Sequence, residues 1–69
     1  MRSIRELRQA RNLTQRQVAD AVNVTITTVA NWERGTFEPR ASQLRRLAQL
    51  FDVCMEEIET RPDDAKAAG

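Results

Sequence analysis

Apolar positions along this chain recur every three or four residues, and no segment alternates in the two-residue period of a strand. The pattern predicts helices throughout. The first opens at "SIRE", residues 3 to 6, where Ser3 and Glu6 have the spacing of a capping box and Ile4, Leu7 and Leu13 supply an apolar side. A second opens at "TQRQ", with Thr14 as cap, Gln17 answering three residues on, and Val18, Ala19 and Val22 facing inward. Asn23 tolerates the left-handed backbone that ends a helix. A tight turn leads to a third helix, which begins near Thr25 and ends at Gly35, so the second and third must cross steeply. "TFEPR" is a loop, because Pro39 disfavours helix just before it. A fourth helix carries Leu44, Leu47, Ala48 and Phe51 as an inward stripe and ends at Asp52. Met55 to Thr60 are expected as a short fifth helix held by Ile58. The fold class is therefore all-α: a compact bundle of five short helices in one domain, residues 1–60. The remaining residues, 61–69, are polar, small and aperiodic, and are expected as a loose tail.

The third helix has an unusual outer face. In "NVTITTVANWERG", residues 23 to 35, Thr25, Val29 and Trp32 share one side of a helical wheel, while Ile26, Thr27, Ala30, Asn31 and Arg34 share the other. An ordinary solvated face would carry Glu and Lys. A face meant for the floor of the DNA major groove should instead avoid carboxylates, stay short, and offer donors, acceptors and methyl groups to base edges. Ile26 suits a thymine methyl, Thr27 a base edge, and Asn31 an adenine or a phosphate; Thr25, at the head of the helix, is grouped with them as a base contact. Arg34, Thr36 and Arg40 follow the helix into the loop and are expected on the DNA backbone, where contacts orient without reading sequence.

Composition narrows the function further. A chain of 69 residues buries a modest core, so a partner subunit is expected. The single cysteine, Cys54, excludes an internal disulfide and reads as structural, and the absence of histidine removes the usual zinc and Cys-His sites. No metal or other cofactor is implied. Glu56 and Glu57 are adjacent and diverge on a helix, which argues against a paired-carboxylate enzyme. No apolar run has the length of a membrane span and the start lacks a signal-peptide core, so the reading is cytoplasmic, with no membrane partner.

Net charge is only +1, but residues 1–46 hold nine Arg against four carboxylates, or +5, and residues 47–69 hold two cations against six acids, or −4. Ten of the eleven basic residues are Arg, which forks onto phosphate and guanine better than Lys. One side of the molecule is thus suited to a polyanion. Arg45 and Arg46 read as the wet face of the fourth helix.

Residues 4 to 58 resemble the helix-turn-helix domains of the phage Cro/repressor family, also called the xenobiotic-response-element type, which includes restriction-modification controller proteins. The resemblance rests on "IRELRQARNLTQRQVADAV", "VTITTVANWERG", and a proline followed by "LRRLAQLFDV". Asn23 and Asp52 stand where that family usually has Gly, and Cys54 where it often has a Ser cap. The resemblance implies a lambda-repressor-like fold in which the helix opened by Thr25 enters the major groove and the helix opened by Thr14 lies across the phosphates. Gln15, at that helix N-terminus, and Arg16 beside it are then backbone contacts, and Asn31 matches a position that often touches DNA. Arg8 and Glu33 match an interhelical ion pair. Dimerisation through the end of the fourth helix is also implied, with Leu50, Cys54 and Met55 in the interface. The expected function is a sequence-specific double-stranded DNA-binding transcriptional regulator, a homodimer on an inverted-repeat operator, with no small-molecule ligand. The competing reading is a protein-interaction module, antitoxin-like or regulator-binding, that presents Ile26 and Leu50 to another protein.

Overall fold

The computed structural model describes residues 2–60. Four helices carry the fold: α1 (Ile4–Ala10), α2 (Gln15–Val22), α3 (Ile26–Arg34) and α4 (Ala41–Phe51). Each of the first three starts at a hydroxyl cap that accepts a free backbone N–H, from Ser3, Thr14 and Thr25 in turn. Ser3 and Thr14 form full capping boxes: the Ser3 N–H donates to Glu6 Oε1 at 3.0 Å, and the Thr14 N–H to Gln17 Oε1 at 2.8 Å.

All four helices end in the same way. Asn12, Asn23, Gly35 and Asp52 take positive φ, and the N–H of the next residue reaches back five positions to a carbonyl of the last turn. Leu13 bonds Arg8 O at 3.0 Å, Val24 bonds Ala19 O at 2.9 Å, Thr36 bonds Asn31 O at 2.9 Å, and Val53 bonds Ala48 O at 3.0 Å. These left-handed reversals satisfy orphan carbonyls and aim the following side chain back at the helix. Leu13, Val24 and Val53 accordingly pack against the core. Leu13 therefore lies beyond α1 and not on it, because Asn12 turns the chain first.

The core gathers Ile4 and Leu7 of α1, Val18, Ala19 and Val22 of α2, Val29 and Trp32 of α3, and Leu47, Ala48 and Phe51 of α4. Leu44, expected in the inward stripe, packs on its edge. Thr25, placed by the helical wheel with Val29 and Trp32, is exposed, since its position before the first turn makes it a cap.

The expected fifth helix is not there. Met55–Glu57 form one 3₁₀ turn, and Ile58–Glu59 (β2) run parallel to Arg2–Ser3 (β1), with Arg2 opposite Ile58 and Ser3 opposite Glu59. The turn has no side-chain cap, since Cys54 stands at its head and forms no capping bond. β-branched Ile58 suits a strand, where it pairs with Arg2 and is buried in the core to 5% exposure. The fold is mainly helical with a small strand pair. Cys54 is exposed and is not a core residue. Among the described residues, no helix is long and apolar enough to cross a membrane. The expected tail, 61–69, lies outside the described residues.

Candidate nucleic-acid interface

The short Asn23–Val24 reversal fixes α3 against α2, with Val29 and Trp32 inward, and so determines which side chains of α3 face out. Ile26 is 44% exposed and Thr27 is exposed; Ala30 and Asn31 are half-buried, and Arg34 is exposed. Thr36 and Arg40, in the following segment, are exposed as well. The structure thus puts Ile26, Thr27, Asn31 and Arg34 on one side of a single helix, with Thr36 and Arg40 exposed in the segment that follows.

Two of the expected base contacts already have partners. Thr25 Oγ1 accepts the Thr28 N–H at 3.1 Å and lies 3.0 Å from Thr28 Oγ1, so its hydroxyl is occupied with starting the helix. Asn31 Oδ1 accepts from Arg34 Nη2 at 2.6 Å. A bidentate pairing of Asn31 with adenine needs that oxygen, whereas its amide donors suit an acceptor such as guanine N7 or O6.

α3 carries one carboxylate, and it is neutralised. Arg8 Nε donates to Glu33 Oε2 at 2.7 Å and Nη2 to Oε1 at 3.3 Å, in the two-pronged geometry that arginine favours. Their side chains are 14% and 6% exposed. Arg8 Nη1 also donates to Leu13 O at 3.0 Å, and Gln15 Nε2 donates to Glu33 Oε1 at 3.2 Å. One guanidinium thus joins the end of α1, the head of α2 and the last turns of α3. Gln15 is half-buried with its amide oriented by Glu33, while Arg16 beside it is exposed.

Arg40 stands where α4 begins but has no acceptor in its side chain. Only half of the cap is made, by the Arg40 N–H to Gln43 Oε1 at 2.8 Å. A cation at the positive end of a helix is locally unfavourable. That position therefore holds arginine against the local preference.

The expected interface residues of the α4 end separate. Leu50 and Met55 are half-buried and pack on the core, and Cys54 is exposed. Three other residues escaped the sequence reading. Arg11 Nη2 donates to Phe51 O at 2.8 Å, closing the last turn of α4, and no local signal could reveal a partner 40 positions away. Asn12 shares with Asn23 and Asp52 the pattern of a left-handed residue before an apolar one, a signal present in the sequence. Phe37, 61% exposed in the loop after α3, is an apolar ring in a polar run.

Comparison with known proteins bears on the family. Residues 4–58 match the family described as Helix-turn-helix. Over 55 residues, 80% of this chain, the protein is 33% identical to the HTH-type transcriptional activator BcrR of Enterococcus faecalis, of which the match covers 27%. It is 34% identical over 55 residues, again 80% of this chain, to the cryptic phage CTXphi transcriptional repressor RstR of Vibrio cholerae, of which the match covers 50%. The chain therefore spans half or less of the length of these relatives. With the ordered helices, the fixed α2–α3 reversal and the match across residues 4–58, the chain belongs to the helix-turn-helix family, of the Cro/repressor or xenobiotic-response-element type.

Proposed function

We propose that the protein is a sequence-specific, double-stranded DNA-binding transcriptional regulator. The observation that carries this reading is the outer face of α3. It offers Ile26, Thr27 and Asn31 without a free carboxylate, because Glu33 is paired with Arg8. In this reading α3 enters the major groove, with Ile26, Thr27 and Asn31 toward base edges and Thr25 at the entry. Gln15, Arg16, Arg34, Thr36 and Arg40 hold the backbone on either side. The names of the two relatives, one an activator and one a repressor, support transcriptional regulation and favour neither direction.

The regulator acts as a homodimer on an inverted repeat, joined near Leu50, Cys54 and Met55. One reading helix covers too few base pairs to select a site from a genome, and a second copy supplies the remainder. The half-buried Leu50 and Met55 support this placement, since Leu50 leaves apolar surface in the last turn of α4 and Met55 in the 3₁₀ turn that follows it.

The competing function, a protein-interaction module, draws on Ile26 and Phe37, which are 44% and 61% exposed. Salt separates the two. DNA binding that neutralises several phosphates weakens steeply as salt rises, whereas an apolar protein interface does not.

A further inference from the structure

Where α1, the head of α2 and the last turns of α3 meet, an open cleft of about 310 Å³ is lined by Arg5, Arg8, Gln15, Ala30, Glu33 and Arg34. Among the described residues its only carboxylate is Glu33, which Arg8 already neutralises at 2.7 Å. Arg34 is engaged by the neutral Asn31. Arg5 is exposed and forms no ion pair with the described residues. Among the described residues, two guanidinium groups thus line the cleft without a compensating acid, one from α1 and one from α3, together with the Gln15 amide. Like charges gathered around a concave surface raise the local potential and attract an anion. Arginine is also the side chain best shaped to grip phosphate oxygens in pairs.

We infer that this cleft seats one phosphate of the DNA backbone and that Arg5 is a phosphate contact, extending the interface from the helix-turn-helix onto α1. The inference rests on the DNA-binding function proposed above. Arg34 grips the phosphate from the opposite wall, and Gln15 donates from the head of α2. Arg8 acts at one remove as a positioning residue: it cancels the charge of Glu33, which would otherwise repel the phosphate, and Glu33 in turn orients the Gln15 amide.

The test measures binding of the full chain to a selected duplex and to a random duplex across a salt series, comparing wild type with Arg5→Gln, Arg5→Lys and Arg45→Gln. Arg45 is exposed on α4, lines no part of the cleft, and controls for the loss of one positive charge anywhere. Arg5→Gln is expected to weaken both duplexes by about tenfold and to lower the salt slope by about one unit. Arg5→Lys should keep most of that slope, Arg45→Gln should keep all of it, and the melting temperature of Arg5→Gln should stay at the wild-type value. Wild-type binding combined with an Arg5→Gln slope equal to that of Arg45→Gln would overturn the contact while leaving the DNA-binding function standing. A wild-type chain that binds neither duplex would overturn the function and this cleft together.

Discussion

Arg8 and Glu33 are 25 residues apart in the chain and meet at 2.7 Å in the fold, with their side chains 14% and 6% exposed. Removing one partner strands the other charge where water reaches it poorly. Arg8→Ala is therefore expected to cost about 3–5 kcal/mol of stability, measured by urea denaturation. Replacing both residues with apolar ones should cost much less than twice that. A single Arg8→Ala variant with an unchanged midpoint would mean that the pair contributes nothing.

The capping box at α1 is expected to be pH-dependent. The Ser3 backbone N–H, and then its hydroxyl, hold the Glu6 carboxyl below its ordinary pKa. A folded-state pKa that is depressed stabilises fully above the unfolded-state value, and the contribution disappears as pH falls through the folded-state value. Glu6→Ala should thus melt below wild type at neutral pH, with the gap closing in acid. Thermal melts across the carboxylate range check this, and a gap independent of pH would contradict it.

The local grammar of the chain was open to reading from the sequence, and the distant contacts were not. Ser3 with Glu6, and Thr14 with Gln17, specify their own helix starts, because cap and partner lie three residues apart. The stop at Asn23 was legible for the same reason. The stretch after Asp52 misleads, because Met55 to Thr60 has the composition of a helix. The competing interaction, strand pairing of Ile58 with Arg2, lies at the far end of the chain. Arg11 reads as one more surface cation until α4 folds back and offers it the Phe51 carbonyl. The face of α3 was visible as a pattern. That Asn31 gives its oxygen to Arg34, and that Thr25 spends its hydroxyl on a cap, depend on rotamers that no periodicity encodes.

Asp52 takes φ 56, a backbone that glycine adopts without steric cost. Its ion pair with Arg11 is long, at 3.9 Å, and its side chain is 91% exposed, so little is lost by removing it. Asp52→Gly is therefore expected to raise stability by about 0.5–2 kcal/mol. Arg11→Ala should lower it by about 1 kcal/mol through the lost bond to Phe51 O. A destabilised Asp52→Gly would show that the exposed pair outweighs the backbone strain.

Within the DNA-binding reading, the two kinds of contact should separate by variant. Thr27→Ala or Asn31→Ala should weaken the best site by about 1–3 kcal/mol and relax preference at one or two base pairs. Arg40→Ala should weaken specific and random duplex alike and lower the salt slope by about one unit. A uniform loss in Thr27→Ala would move that residue to the backbone.

The dimer is expected to depend on the end of α4. Leu50→Glu places a charge on a half-buried apolar position and should shift sedimentation from dimer toward monomer, with a larger loss of affinity for a paired site than for a half-site. A wild-type monomer at tens of micromolar, together with a bound site that has no inverted symmetry, would remove the dimer from the account.

Selection of bound duplexes from a random pool tests the central claim most directly, because it reads DNA binding, sequence preference and symmetry together. The account predicts enrichment of an inverted repeat with half-site centres about 10 base pairs, or a near multiple, apart, and loss of that enrichment with Thr27→Ala. A pool that remains random after repeated rounds, from a protein that is folded by its melting curve, would contradict it.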